Sequence, residues 1–340
     1  VERSEAIDAA LAIDWRGIIE GLTQAVPRSV LQRAVSFLLL ADTKASFAIE
    51  GERAEQSMIE RWSKVLLEAG RYPMSVDEIT RLHRIVLEGQ RYIQFGLRTG
   101  NVFLGERTSL GEPHPTYIPP KGEDVHRLIE QWLGLHRFCD EKGVHPLVHA
   151  AAISFVFVCI HPLEDGNGRL HRYLLNHLLA ERKVLPVGIT VPLAHQLANH
   201  IEAYKSVLEQ HAKGIMPLIQ WAEDSMRNIE VLNDTVHLYT HYDITDFLAL
   251  VVTCLHGCTE VDLPAEILYL QRYDRTIERI RGKIALPEHR LSLLVRLIEH
   301  NQGTLAKNKR KRYFTDLLDD DLEWMETVVV DCFELDISSP

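Results

Sequence analysis

The chain has 340 residues, of which 46% are apolar and 25% are charged, so its composition is that of a globular protein with a sizeable core. Its formal net charge of −11 argues against nucleic acid or an anionic membrane as a general partner, because both require a basic surface. The longest apolar run, Leu147 to Ile160, is too short to cross a bilayer.

The first residues and the cysteines bear on where the protein resides. The opening sequence VERSEAIDAALAIDW lacks the charged-then-apolar pattern of a secretory signal. The five cysteines are widely scattered and odd in number, which is typical of thiols in a reducing compartment. We therefore expect a cytoplasmic protein.

The dominant hydrophobic period in the first part of the chain is that of a helix. From Ser29 to Trp62, apolar residues recur at steps of three and four with few breakers. Ser75 followed by Glu78 is a capping-box pattern that predicts the start of another helix, and Gly89 is its expected stop.

The helical pattern resumes further along. We expect a helix after Gly122 and a buried helix ending near Ile160, since its sequence is apolar on nearly every side. Further helices are predicted from Asn199 to His211, over most of Met216 to Val236, and through the last third of the chain.

Residues 98–121 interrupt this pattern. They are rich in Gly, Pro and Thr, and hold two short β-like stretches, NVFLG and PTYIPP, around polar turn residues. A surface β-hairpin is expected, with Pro119 and Pro120 confining its second strand to an edge. We therefore predict an all-α protein with one small hairpin, in three segments: residues 1–70, 71–225 and 226–340.

The stretch HPLEDGNGRLHR, from His161 to Arg172, combines a candidate base with a candidate metal ligand. Proline disfavours helical geometry in the residue before it, so His161 is expected at a turn, where a neutral imidazole can accept a proton. Asp165, further along the same loop, supplies a carboxylate of the kind that Mg²⁺ prefers.

The same stretch also has the features of a polyphosphate site. Gly166 and Gly168 flank Asn167 and can turn successive backbone N–H groups toward one anion at the start of the next helix. Arg169 and Arg172 stand three apart and project from one face of that helix, where each charge-assisted hydrogen bond contributes roughly 1.5–3 kcal/mol. Each piece alone is common in turns and solvated helix faces, and their coincidence predicts phosphate binding.

The stretch resembles the core motif of the Fic family, H-P-F-x-[D/E]-G-N-G-R-x-x-R. Every fixed position matches except the third, where Leu163 stands for phenylalanine and keeps an apolar side chain. Gly166 and Gly168 match the adenylylating branch of the family, because the Doc branch of phosphotransferases has alanine and lysine there.

The resemblance implies a Fic-type helical bundle with a hairpin flap and a C-terminal helical extension. It implies transfer of AMP from ATP, with Mg²⁺ or Mn²⁺, to a Ser, Thr or Tyr hydroxyl of a target protein or of the chain itself. The implied roles are His161 as base, Asp165 as metal ligand, and Gly166, Asn167, Gly168, Arg169 and Arg172 as phosphate contacts.

A second short motif, SFAIEG, runs from Ser46 to Gly51. Alone it is an amphipathic helix with a surface acid. Beside the Fic motif it resembles the family's inhibitory helix, [S/T]-x-x-x-E-[G/N], at Ser46, Glu50 and Gly51. The resemblance implies that Glu50 pairs with Arg172 and keeps ATP out of its reactive pose.

The hairpin resembles the family's flap, which begins at Arg98-Thr99 here and ends with Tyr117, Ile118 and two prolines. The resemblance implies that Tyr117 and Ile118 belong to a flap that registers a target segment by strand addition. Tyr204 lies where many family members place a tyrosine near the adenine.

Two alternative functions remain at this stage. The enzyme could remove AMP or move another phosphate-containing group, or the chain could be a non-catalytic adapter that binds nucleotide and partners. A homo-oligomer is compatible with either.

Two further features are expected to be structural. His237, His241, Cys254 and Cys258 have the ligand types of a zinc site, but we expect buried thiols and surface histidines instead. The basic run from Lys307 to Arg312 is followed at once by acidic residues, so it is interpreted as a charge-balanced surface.

Overall fold

A computed structural model describes residues 1–2, 4–53, 55–90, 92–186 and 188–335. Within these residues the chain forms fifteen α-helices and four short strands. The first helices are α1 Glu5–Leu11, α2 Trp15–Gln24, α3 Arg28–Ile49, α4 Gln56–Leu66, α5 Val76–Val86, α6 Gly122–Glu141, α7 Pro146–Ile160 and α8 Asn167–Glu181. The others are α9 Leu193–Asn199, α10 Ile201–Ile215, α11 Thr245–His256, α12 Leu263–Arg281, α13 Glu288–His300, α14 Lys307–Tyr313 and α15 Asp319–Phe333. The strands are β1 Leu104–Arg107, β2 Pro113–Tyr117, β3 Trp221–Glu223 and β4 Ile229–Val231.

The chain divides into two compact units. The first contains residues 1–25 and 35–262, and the second contains residues 26–34 and 263–340. The three-segment division drawn from the sequence, at residues 70 and 225, stays a prediction. Every residue of the sequence motifs described above, from Ser46 to Tyr204, lies in the first unit.

Helix α7 is the centre of the first unit. It packs against α6, α8 and α11, and most of its residues are buried, as its uniformly apolar sequence predicts. Pro146 occupies its first turn, where a missing N–H costs nothing. The helix ends at Ile160, and the next residue, His161, caps it with φ 51° and ψ 58°. Helices α7 and α8 pack closely against each other, so the loop that joins them is held between two packed helices.

The predicted helix around Ser75 is confirmed. The Ser75 hydroxyl accepts the N–H of Glu78 at 3.1 Å and caps α5, which ends at Val86, ahead of Gly89. The long helical pattern from Ser29 to Trp62 is divided, because α3 ends at Ile49 and α4 begins at Gln56, a break that the apolar period alone does not reveal.

The hairpin within residues 98–121 is also confirmed, as antiparallel β1 and β2. The bounds of its strands are shifted by two to three residues from those of the predicted stretches. Pro119 and Pro120 therefore lie after β2 and not within it. Gly105, at φ 143°, lies at the register shift next to Leu104, and a side chain there would collide with the carbonyl of His114.

The prediction of a helix over most of Met216 to Val236 is wrong. This segment contains β3 and β4, which pair as a second antiparallel hairpin. Asp224 makes the turn, because its carboxylate accepts the N–H groups of Met226 and Asn228, both at 2.8 Å, and Arg227 adopts a positive φ of 59°. The local side-chain bonds of an aspartate therefore override a weak helical period.

The second unit has its own core, formed by apolar side chains of α12, α13 and α15. All five cysteines are free and buried. One helical stretch, Thr245–Arg281, contains a window of mean hydropathy 1.3 that is long and apolar enough to cross a membrane, but half of that window is buried within the protein. Core helices of globular proteins meet the same criterion, so this is weak evidence for a membrane span.

Candidate active site

His161 lies at the edge of the α7–α8 loop. Its side chain is partly exposed, and its Nδ1 lies 3.3 Å from the carbonyl of Val158. A carbonyl can only accept, so Nδ1 carries the proton of the neutral ring and Nε2 keeps a free lone pair. Burial, with a smaller contribution from Arg98, lowers the pKa of His161 to about 4. The imidazole is therefore neutral near pH 7 and able to accept a proton.

The loop after His161 is fixed by a side chain. Asn167 accepts the N–H of Leu163 at 3.0 Å and donates to the carbonyl of Leu163 at 2.9 Å. Gly166 adopts φ 81° as the N-cap of α8. The first N–H groups of an α-helix have no partner within the helix, so the start of α8 has donors that could bind an anion. The amide side chain of Asn167 serves the loop, which leaves its backbone N–H for such an anion.

Arg172 extends from the first turns of α8 toward the end of α3. Its side chain is 2% exposed, and its Nη2 donates to Glu50 Oε1 at 2.7 Å. It also donates to the hydroxyl of Ser46 at 2.9 Å and to the carbonyl of Ser46 at 2.8 Å. The Glu50 carboxylate lies so close to the α8 start that a Cβ added at Gly168 would be 2.1 Å from Glu50 Oε1. The structure thus joins the two short motifs of the sequence through one partly buried ion pair.

Arg169 is bound by a second acid of the same segment. Its side chain is fully buried, and it donates to Glu52 at 3.0 Å and to Asp165 at 3.3 Å. Its guanidinium also lies over the ring of Phe47, 5.0 Å from the centroid. Burial raises the pKa of the Glu52 carboxyl above its ordinary value, against the opposing effect of Arg169. The sequence motif ends at Gly51, so Glu52 escaped the sequence analysis.

Arg98 is a second functional candidate that sequence reasoning did not assign to the site. It is 1% exposed and donates to the carbonyls of His161 at 2.7 Å, Gly100 at 2.8 Å and Pro120 at 2.7 Å. Its guanidinium therefore joins both ends of the hairpin segment to the C-terminal end of α7. The signal was present in the flap resemblance, which begins at Arg98, but nothing in the sequence indicated its burial.

The predicted flap residues face the interior. Tyr117 is 9% exposed and its hydroxyl donates to the carbonyl of Cys159, while Ile118 is 1% exposed. The exposed strand of the hairpin is β1. A mostly apolar cavity of about 150 Å³ lies between the hairpin, the end of α7 and α10, and its lining includes Leu104, Tyr117, Val158 and Leu208. Val158, which bonds to His161, places this cavity next to the base.

Tyr204 is buried next to Arg172. It is 3% exposed, stacks on the ring of His171 with centroids 5.9 Å apart, and interacts electrostatically with Arg172. One face of its ring is therefore already covered. Its assignment near an adenine stays a prediction.

Potential metal ligands are sparse. No group of three or more His, Cys, Asp or Glu side chains that could hold a metal ion occurs among the residues that the structure describes. His237 and His241 are exposed, whereas Cys254 and Cys258 are buried. Asp165, 43% exposed, offers a single carboxylate at the α8 start. Such a donor set fits Mg²⁺ that binds through one carboxylate, waters and the phosphates of a nucleotide.

The fold and the site together define a mainly helical scaffold with two small hairpins, whose central helix–loop–helix places a histidine beside a helix start. Residues 73–179, which include the whole stretch from His161 to Arg172, match the Fic/DOC family. The chain therefore contains a Fic domain. The segment from Ser46 to Glu52 lies outside the matched residues.

Curated relatives carry the same domain. The chain is 24% identical over 206 residues to protein adenylyltransferase Fic of Nematostella vectensis, a match of 60% of this chain and 38% of the relative. It is 32% identical over 151 residues to protein adenylyltransferase fic-1 of Caenorhabditis elegans, a match of 44% of this chain and 26% of the relative. The matches thus span well under half of these relatives' length.

Solved structures agree on the fold. A Fic domain-containing signalling protein from Bacteroides thetaiotaomicron has a TM-score of 0.52 at 18% identity, covering 78% of this chain and 97% of that protein. A Fic family protein from Desulfovibrio desulfuricans has a TM-score of 0.52 at 19% identity, covering 99% of this chain and 86% of that protein. The predicted all-α bundle with a small hairpin is confirmed, with the second hairpin as an addition.

Proposed function

We propose that the chain is a protein adenylyltransferase, which transfers AMP from ATP to a hydroxyl side chain of a target protein. The observation that carries this proposal is the placement of a neutral His161, with its Nε2 lone pair free, beside a helix start that holds two buried arginines. The names of the relatives that share the Fic domain support the same reaction class.

In the proposed reaction, the target hydroxyl oxygen attacks the α-phosphorus of ATP. Its proton passes to Nε2 of His161, a new O–P bond forms, and the bond from the α-phosphorus to the bridging oxygen of the β-phosphate breaks. Pyrophosphate leaves with that electron pair. The N–H groups at the start of α8, with Arg169 and Arg172, stabilise the charge that develops on the phosphates. Asn167 holds the loop that aims those N–H groups.

Asp165 is the residue that would hold Mg²⁺, which would supply positive charge to neutralise the phosphates. The apolar cavity beside Val158 would take the nucleobase end of ATP. The exposed strand β1 would align a target segment by adding its backbone to the hairpin edge.

In this conformation the chain would be inhibited, because an acid of its own blocks a phosphate contact. The Glu50 carboxylate occupies Arg172 and lies against Gly168, where we place a phosphate of ATP. A phosphate would have to displace that carboxylate to reach the guanidinium. Autoinhibition by Glu50 therefore belongs to the proposal.

The first test weighs the purified chain after incubation with Mg²⁺ and ATP, and in parallel with CTP, GTP or UTP. We expect the variant Glu50→Gly to gain the mass of one or more AMP groups from ATP, and the unaltered chain to gain less. His161→Ala in the Glu50→Gly background should lower incorporation by about 10²–10⁴-fold, since it removes the base.

Other outcomes assign another function. A lysate is also supplied as substrate. If the unaltered chain and Glu50→Gly bind ATP but incorporate no AMP, the chain is a nucleotide-binding adapter. Loss of AMP from a modified target would identify the reverse activity. Equal incorporation in the unaltered chain and Glu50→Gly would contradict autoinhibition alone.

A further inference from the structure

We propose that Glu52 is a second inhibitory carboxylate, which withholds Arg169 from nucleotide phosphate while Glu50 withholds Arg172. The inference deepens the proposed function, on which it rests, by adding a contact to its regulation. It assigns a role to a residue beyond the short inhibitory motif.

The two ion pairs are alike in geometry and burial. Glu52 bonds to Arg169 at 3.0 Å and Glu50 bonds to Arg172 at 2.7 Å. Each arginine side chain is at most 2% exposed, and each glutamate side chain is about one third exposed. Both cations are therefore buried, and each is bonded to a carboxylate that is itself partly exposed.

Charge balance makes each glutamate a competitor of phosphate. A buried guanidinium left without a counter-anion is strongly unfavourable, so some anion has to neutralise it. Arg169 keeps a bond to Asp165 at 3.3 Å, but Asp165 is the carboxylate expected to bind the metal. When ATP binds, its phosphates would take the places of Glu50 and Glu52.

The local backbone explains how one segment supplies both acids. At the end of α3, Gly51 donates to the carbonyl of Ala48 at 3.0 Å, and Glu52 donates to the carbonyl of Phe47 at 3.1 Å. With Gly51 at φ 74°, this is a Schellman turn. The turn reverses the chain at Gly51, so that Glu50 and Glu52, on either side of it, meet different arginines of α8.

The consequence is that the inhibited site loses two phosphate contacts rather than one. Removing Glu50 alone frees Arg172 and leaves Arg169 neutralised by the chain itself. A nucleotide in the Glu50→Gly protein would still have to displace Glu52. Full nucleotide affinity therefore requires that both carboxylates be absent or withdrawn.

The test compares Glu52→Gln and Glu52→Ala with Glu55→Gln, a matched control three residues along the chain whose side chain is exposed and makes no cap bond. The Kd of Mg·ATP and of inorganic pyrophosphate is measured by calorimetry in the unaltered and the Glu50→Gly backgrounds. We expect Glu52→Ala to lower both Kd values by about tenfold, the scale of one charge-assisted hydrogen bond. Glu55→Gln should leave both unchanged.

The outcomes separate the inference from the function on which it rests. If Glu52→Ala and Glu55→Gln bind both probes equally, with thermal melting showing each variant folded, the inference is overturned. If Glu52→Ala binds both probes more tightly but no variant incorporates AMP, the inference that Glu52 competes with phosphate is supported and the transferase proposal fails. An increase in AMP incorporation by Glu50→Gly on adding Glu52→Gln supports both.

Discussion

Single buried charges determine the properties of the candidate site. His161 is neutral because its ring is desolvated and Arg98 lies nearby, and Asp42 on α3 is 3% exposed with its carboxyl at the start of α9. Neither state can be read from the residue types. Each leads to a pH dependence whose direction follows from the shift.

The first residue-scale prediction concerns how the rate of AMP incorporation depends on pH. Since the pKa of His161 lies at about 4, its imidazole is neutral at every pH above about 5. We expect the initial rate of AMP incorporation by Glu50→Gly, at saturating Mg·ATP, to show no inflection near pH 6.5, where an ordinary histidine titrates. Radiolabelled ATP between pH 5.5 and 8 provides the measurement. A tenfold fall per pH unit below 6.5, with the fold intact, would contradict it.

The second residue-scale prediction concerns stability. Burial raises the pKa of Asp42 to about 7, against the effects of the His195 and Ala194 N–H groups and of Arg172, while Asp262 adds to the rise. A raised pKa means that the folded state binds this proton more tightly than the unfolded state. Asp42 therefore contributes stability that is complete below about pH 4 and is lost as the pH rises through about 7.

The variant Asp42→Asn resembles the protonated carboxyl at every pH. Between pH 5 and the raised pKa of about 7 lie about two pKa units at about 1.4 kcal/mol each, so the difference in the free energy of unfolding changes by roughly 3 kcal/mol. We expect Asp42→Asn to gain stability relative to the unaltered chain as the pH rises from 5 to 8, measured by urea unfolding. Asp77→Asn, at an exposed site in the first turn of α5, is the control. Parallel pH curves for the two proteins would refute the assignment.

At the scale of elements, the hairpin and α7 are joined by one buried side chain. Arg98 bonds to carbonyls at both ends of the hairpin segment and at the end of α7, where the carbonyls of the last turn lack helix partners. Burial lowers the pKa of Arg98 to about 10, which leaves it charged at neutral pH. It thereby bonds to three carbonyls near His161 and ties the residues that flank the hairpin to the end of α7.

The element-scale prediction is that Arg98→Met destabilises the protein strongly. The apolar side chain fills similar space but leaves the carbonyls of Gly100, Pro120 and His161 unpaired, at about 1–3 kcal/mol for each buried group. We expect a loss of about 3 kcal/mol or more in urea unfolding. The stability of Arg98→Lys should lie between those of Arg98→Met and the unaltered chain, since an ammonium keeps the charge without the planar arrangement of donors. A stability equal to that of the unaltered chain would disprove this role.

At the scale of the whole molecule, the sequence predicted what depends on contiguous residues. The helix–loop–helix around His161 and the cap at Ser75 follow from patterns within a few positions. Glu52 could not be found that way, because its bond to Arg169 joins residues 117 positions apart through a positive-φ turn. The second hairpin escaped for a related reason: the side-chain bonds of Asp224 outweighed the hydrophobic period.

The turn at Gly51 has a consequence for how the two acids would leave the site. Because Glu50 and Glu52 are borne by the same hydrogen-bonded backbone reversal, a partner that pulls this end of α3 away would withdraw both acids in one movement. Release by such a partner is then expected to be all-or-none. Graded intermediates would arise only from mutation, which removes one acid and leaves the other in place.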